Sequence, residues 1–262
     1  EDASNGGSRY SSDEWRDWWC CDDAAVYQFI GQDNIFFYCI VQNPLWDALD
    51  WGLITDTPVA NYHILFMNKK ASSSGAIKPP MAEELLEFYT PEQLRAHWLS
   101  LGLDQRAVSF SPKAFDTSVS RKGKDGEPDL LVKDDSRVVD PALKESAFLT
   151  NIFNRMARSC LYGAANACGG HLPVSEPHQE VIDAAQEVLL KYEQLAYGFD
   201  AHSALVAVDE YARAENKRWG EASKAAQGND KAYDQALADA FYALKTITLL
   251  MHPAVPEGCE RI

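Results

Sequence analysis

The residues most able to do chemistry cluster in Asn61 to Gly75, NYHILFMNKKASSSG. An apolar run, Tyr62 to Met67, has strand length and composition and ends at a polar Asn-Lys-Lys corner. The segment after it, Lys70-Ala71-Ser72-Ser73-Ser74-Gly75, offers an ammonium group, three hydroxyls and unhindered backbone N–H groups. That equipment suits a polyphosphate, where charge must be stabilised rather than a covalent bond formed. Read alone, the same segment favours a solvated Ser-rich loop; its neighbours on both sides reverse that. A second candidate is Asp33, in the Gly31-Gln32-Asp33 turn that ends the apolar run Ala24 to Ile30. Its carboxylate can face a ligand or simply cap a helix beginning at Asn34. A third is the polar cluster Asn151, Asn154, Arg155 and Arg158. Asn154 and Arg158 are four apart and share a helix face. Trp219 follows the charged run Asn216-Lys217-Arg218, which suggests partial exposure; the alternative is a Trp capping a helical core, with Arg158 a solvated charge. Cys168 and His171 can ligate a metal only with partners from elsewhere, and no metal site is expected.

These residues need elements to hold them. Trp15, Trp18 and Trp19 stand at helical spacing and are expected in a core. Ala24 to Ile30 reads as a buried strand, and Asn34 to Leu49 as a helix interrupted near Pro44. Strand, Gly turn, helix, strand is the order of a parallel α/β sheet, whose ligands bind beyond the carboxyl ends of the strands. Asp33 and the Lys70 segment both follow strands, so both are expected to face one crevice. Met81 to Tyr89 reads as a short amphipathic helix. Thr90-Pro91-Glu92-Gln93 pairs a capping box with Pro at the first helical position, and that helix is expected to stop at Gly102. Residues 111–139 are rich in Ser, Lys, Asp, Gly and Pro and read as a surface excursion and linker. Beyond it the pattern is helical throughout: Asp140 to about Ala167, Pro177 to Tyr197, Ala201 to Ala226, and Lys231 to Met251, closed by Pro253 and Pro256. Four such helices make a bundle, with Ile182, Val188, Leu189, Tyr192, Leu195 and Leu205 in its core.

Composition narrows the function classes. The 262 residues are 46% hydrophobic and 24% charged, as in globular proteins, and no stretch reaches the roughly 18 apolar residues a membrane span needs. A net charge of −15 argues against a general nucleic-acid coat but leaves room for a partner held by a few basic residues. The six cysteines show no C-x-x-C pair and no disulfide framework, so a reducing, cytoplasmic setting is expected. The start, EDASNGGSRYSSDEW, has neither a basic beginning nor an apolar centre and is no signal peptide; without an initiator Met it suggests a fragment or a processed chain.

Separated stretches then agree. The chain resembles the class I aminoacyl-tRNA synthetases and, among them, the methionyl-tRNA synthetase family. VYQFIGQDNIFF (Val26 to Phe37) looks like that family's strand and adenosine-contacting turn, usually HFIGKD. KASSS (Lys70 to Ser74) is similar to the KMSKS signature, and YTPEQLRAHWLSL (Tyr89 to Leu101) to the stem-contact helices that follow it. FLTNIFNRMARS (Phe148 to Ser159) resembles the first helix of the anticodon-binding domain, and LLMHPAVPEGCERI (Leu249 to Ile262) its closing helix, usually HPxxPE. The resemblance implies a partial Rossmann-type parallel sheet with a stem-contact module over residues 1–110, then the linker, then an α-helical anticodon-binding bundle over 140–262.

It also implies roles. Lys70, Ser72 and Ser74 match the catalytic signature, with Lys70 and Ser73 beside the ATP phosphates. Gly31 and Asp33 match adenosine contacts, Phe37 and Tyr38 the methionine pocket, and Asn154, Arg158 and Trp219 the readers of the CAU anticodon. The implied activity is ATP-dependent charging of methionine tRNA, with Mg2+ expected. Ser73 stands where the signature has its second Lys, Tyr38 where a His is usual, and Arg218 where a Pro often precedes the Trp. Nothing matches the HIGH motif, the zinc-bearing insert or the methionine-pocket segment. The chain therefore looks like a C-terminal half, inactive alone, whose N-terminal half is its missing partner. Two other readings are a non-catalytic tRNA-binding paralogue and a plain helical interaction module.

Overall fold

A computed structural model describes residues 14–21, 23–53, 55–66, 68–70, 79–110 and 148–262. Ser72, Ser73 and Ser74, the 111–139 linker and the expected helix start at Asp140-Pro141 lie outside them. The chain divides into two compact units, Glu1–Ile64 with Leu103–Val108, and Leu65–Gly102 with Ser109–Ile262. Residues 1–110 thus contribute to both.

In the first unit, β1 (Tyr27–Gly31) pairs in parallel with β2 (Thr57–Asn61), from Tyr27 opposite Thr57 to Gly31 opposite Asn61. The parallel pair is as expected, but its second member precedes the apolar run rather than being it. The first part of the crossover is helical: a 3₁₀ turn (Gln32–Asn34), a π-helical turn (Phe36–Val41) and α2 (Gln42–Ala48). The expected interruption at Pro44 is absent. Pro44 lacks the N–H that would reach back along the wide π-type turn, and the Asn43 side-chain amide donates to the Cys39 carbonyl instead, at 3.2 Å. Asn43 Oδ1 also accepts from the Thr55 backbone N–H at 3.1 Å, fixing the approach to β2. In α1 (Glu14–Trp19) only Trp15 packs, edge-on to Trp51 with ring centroids 4.9 Å apart. Trp18 and Trp19 are exposed, against expectation, because a helix of six residues offers one narrow face to bury.

The second sheet has the order β4 (Lys69–Lys70), β3 (Ile64–Phe66), β5 (Val108–Phe110). The β3–β4 hairpin is antiparallel, with Phe66 opposite Lys69 and Leu65 opposite Lys70. Its corner, Asn68, has φ of 62° and donates its N–H to Ser109 Oγ at 2.9 Å; Asn tolerates this left-handed conformation better than most residues. Over Phe66 and Phe110 pack Leu85, Tyr89 and Leu94 from the helical segment that follows. That segment is α3 (Ala82–Leu86) and α4 (Pro91–Leu99). The capping box forms as expected: Thr90 Oγ1 accepts from the Gln93 N–H at 3.2 Å, and Gln93 Oε1 from the Thr90 N–H at 2.9 Å. Gly102, at φ of 64°, makes the stop.

The bundle comprises a π-helical turn (Leu149–Phe153) running into α5 (Asn154–Ala167), then α6 (Gln179–Tyr197), α7 (Ala201–Ala225) and α8 (Asp230–Met251), closed by α9 (Pro256–Glu260). Asp200 and Asn229 cap α7 and α8 through the Ser203 and Ala232 amides. The core centres on Phe153, Met156, Val181, Val208, Leu237 and Ile247. Val188 is buried as expected, and Tyr192 and Leu205 lie against the core. Leu189 is not in it, being 40% exposed: α6 buries Val181, Ala185 and Val188, and Leu189 falls about 100° off that stripe. The C-terminal corner grips α4. Arg95 donates to the carbonyls of Pro253 (2.6 Å) and Ala254 (3.4 Å), and the Gly258 N–H donates to Glu92 Oε1 at 2.9 Å.

Candidate functional site

Gly31 closes β1, and Asp33 stands second in the 3₁₀ turn that follows it. A Cβ on Gly31 would lie 2.9 Å from Asp33 Oδ1, so the carboxylate could not keep this position beside it. The missing side chain is therefore what lets the carboxylate fold back over the carboxyl end of β1, where parallel sheets take their ligands. His63, in the link from β2 to β3, places Nε2 3.9 Å from Asp33 Oδ2. Phe37 and Tyr38 occupy the π-helical turn; Phe37 is 60% exposed and meets the Phe36 ring edge-on at 5.6 Å.

Lys70 belongs to the second unit and, contrary to expectation, stands on a strand rather than in a loop, opposite Leu65 in β4. The Asn68 corner and the Ser109 hydroxyl fix the hairpin that carries it. Its side chain is exposed.

In the bundle, α5 turns Asn154, Arg155 and Arg158 outward and Phe153, Met156, Ala157 and Cys160 inward. Trp219, on α7, is brought to this helix but is not the partly exposed ring expected. It is 5% exposed, meets Tyr233 at 5.7 Å in an edge geometry, and its Nε1–H donates to Ser159 Oγ at 2.8 Å. Gly163 makes room: a Cβ there would stand 3.1 Å from Leu237 Cδ1 and 3.6 Å from Trp219 Cζ2. Small residues on α5 and an aromatic on α8 decide this burial, and neither is visible from the charged run before Trp219. Arg218 has a role of its own. It spans Glu215 (3.4 Å) and Glu180 (3.0 Å), tying α7 to the start of α6. Burial holds the Glu215 carboxyl above the usual carboxylate range, with Arg218 pulling the other way.

Sequence reasoning missed His63, Ser159 and Asn68. His63 was signalled as the one polar residue within an apolar strand-like run, and Asn68 by its place at a corner. Ser159 carried no local signal. Cys168 faces Asp234, its Sγ 3.8 Å from Oδ1; burial and that carboxylate raise its thiol. Among the described residues no three His, Cys, Asp or Glu side chains gather as a metal site would require, and no helix is long and apolar enough to cross a membrane. All six cysteines are free.

A family profile described as tRNA synthetases class I (M) matches residues 4–122. The methionine--tRNA ligase of Methanoculleus marisnigri is 23% identical over 255 residues, 95% of this chain and 34% of its own length. That of Methanospirillum hungatei is 24% identical over 93% of the chain and 33% of its own length. That of Porphyromonas gingivalis is 34% identical over 76 residues, 29% of the chain. The fold is that of part of the Mycobacterium tuberculosis methionyl-tRNA synthetase bound by methionyl-adenylate: TM-score 0.69 at 18% identity, covering 90% of this chain and 43% of that one. The chain thus spans about a third of the length of the curated relatives it matches. Residues 4–122 thus match a class I (M) tRNA synthetase profile, and the chain is similar to methionine--tRNA ligases over about a third of their length.

Proposed function

We propose that this chain supplies the closing portion of a methionine–tRNA ligase, an enzyme that activates methionine with ATP and transfers it to methionine tRNA. The observation that carries the reading is the span of the likeness. A methionine--tRNA ligase aligns with 95% of the chain, the bundle included, so the relationship is not confined to a nucleotide-binding fold shared by many enzymes.

In the reaction, the methionine carboxylate attacks the α-phosphate of ATP, forming methionyl-adenylate and releasing pyrophosphate. A ribose hydroxyl at the tRNA terminus then attacks the methionyl carbonyl and AMP leaves. Positioning and charge stabilisation supply the rate, with no covalent enzyme intermediate. Asp33 would accept from the adenosine ribose hydroxyls; it lies beside Gly31 at the end of β1, with His63 Nε2 3.9 Å from its carboxylate. Lys70 supplies an exposed cation for the phosphates, assisted by Ser72, Ser73 and Ser74. Phe37 and Tyr38 offer apolar surface to the methionine side chain. Mg2+ would accompany ATP through the nucleotide's own phosphates. The bundle holds the anticodon through Asn154 and Arg158 on the outer face of α5, with Trp219 bracing α5 from within. The remaining part of the catalytic sheet, in the same polypeptide or another, covers the first unit and completes the site.

The test is Lys70→Ala in the complete enzyme. Loss of one preorganised charge contact is expected to slow adenylate formation about 100- to 1000-fold, roughly 2.7–4 kcal/mol, with methionine affinity nearly unchanged. An unaltered single-turnover rate would show that the β4 lysine does not serve the phosphates.

A further inference from the structure

The outer face of α5 carries one large aromatic ring that the reading above does not use. Tyr162 is 63% exposed, and the preceding residue, Leu161, is 47% exposed. Tyr162 follows Arg158 by four residues, as Arg158 follows Asn154, so the three side chains step along one outward stripe. The rise of 1.5 Å per residue puts Tyr162 about 12 Å along the axis from Asn154, within reach of an adjacent nucleotide. Arg155 and Asn151 lie on the same outward side and are exposed. Among the described residues none of Asn154, Arg155, Arg158 and Tyr162 makes an ion pair, side-chain hydrogen bond or ring contact.

Charge separates this face from the rest of the molecule. Residues 148–167 hold two arginines and no Asp or Glu, in a chain whose net charge is −15. A polyanion approaching the bundle is repelled elsewhere and accepted here. The Trp219 ring, meanwhile, is covered by Tyr233 and seated over Gly163, so it offers no open face in this structure.

We propose that Tyr162 is the stacking platform of the α5 face: an unpaired base lies on its ring while Arg155 and Arg158 hold the flanking phosphates. The occupant is a single-stranded RNA segment, and the proposal rests on the reading that the bundle binds tRNA. Single-stranded bases are held by aromatic stacking together with basic side chains on the backbone, and this stripe supplies both.

The experiment titrates a 17-nucleotide hairpin with a CAU loop against the 262-residue chain and its Tyr162→Ala, Tyr162→Phe and Arg158→Ala variants, with a thermal melt of each. Tyr162→Ala is expected to weaken binding about 5- to 150-fold, the range for one lost stack. Tyr162→Phe keeps the ring and is expected to bind within about twofold of the parent on that account. Arg158→Ala is expected to lower the salt slope by about one phosphate contact. All three should melt with the parent, since the side chains are exposed. Parent-like binding by Tyr162→Ala beside a weakened Arg158→Ala overturns the Tyr162 assignment and leaves the tRNA reading standing. Equal losses from Tyr162→Ala and Tyr162→Phe overturn stacking in favour of the hydroxyl, and an early melt of Tyr162→Ala overturns it in favour of a structural role. If the parent chain does not bind the hairpin at all, both readings fall.

Discussion

Trp219 shows how far a single residue's role depends on neighbours distant in sequence. Its burial against Tyr233 and Gly163 and its bond to Ser159 make it a brace between α7 and α5. Trp219→Ala is therefore expected to cost about 3–5 kcal/mol of bundle stability, as for other buried aromatic truncations. Urea unfolding checks it, and a variant as stable as the parent would return the ring to the RNA-reading role. The sequence signalled the Trp and its charged surroundings but not Gly163, 56 positions earlier, or Tyr233 on the next helix. A second residue-scale consequence concerns pH. His178 precedes α6; its N–H donates to Asp239 Oδ1 at 2.7 Å and its Nδ1 sits 2.8 Å from Oδ2. That carboxylate raises the imidazole above its ordinary 6.5. A raised histidine stabilises the fold fully below pH 6.5, and the contribution fades as pH rises through the folded-state value. The stability gap between the parent and His178→Gln is thus expected to be widest in mildly acidic buffer and to shrink in alkaline buffer. A gap independent of pH across denaturation series would exclude the protonated pair.

Elements with local signals were legible. Thr90, Pro91 and Gln93 announced the start of α4, because a capping box closes its hydrogen bonds within four residues. Asp200 and Asn229 act over three residues in the same way. What escaped were pairings whose partners are far apart. Thr57–Asn61 becomes a strand because β1, some 30 positions earlier, offers it an edge, and its short mixed composition says little alone. The π-helical turn at Phe36–Val41 escaped for another reason: an apolar helix pattern looks the same until Asn43 supplies the donor that Pro44 lacks. At this scale, Thr90→Ala is expected to destabilise the unit containing α4 by about 0.5–2 kcal/mol, since one first-turn amide loses its acceptor. Chemical denaturation measures it, and no change would show that the cap is redundant with the packing of Leu94 and Tyr89.

On the scale of the whole molecule, the two units differ in how much they bury. The second carries the large bundle core and the smaller cluster around Phe66 and Phe110. In the first, Phe29, Phe36, Phe37, Ile40 and Leu45 are all more than half exposed, and among the described residues the β1–β2 sheet has two strands. The family resemblance of the segment was legible, because glycine turns and signature loops are local. The extent of the exposed apolar side chains was not, because burial is decided by packing partners distant in sequence. The purified 262-residue chain is accordingly expected to show no methionine-dependent ATP–pyrophosphate exchange. Exchange above background would mean that the two thirds of its relatives' length that it does not match are dispensable for activation.

The grip of α4 on the bundle corner has a spectroscopic consequence. The Gly258 amide hydrogen is held by the carboxylate of Glu92, 166 positions away, rather than by its own short helix alone. Its deuterium uptake therefore clocks the detachment of α4, not the fraying of the C-terminus. A Glu92→Gln substitution should speed exchange at Gly258 while leaving the amides in the middle of α8 at their former rates, giving a one-proton readout of whether the segment carrying Arg95 is seated.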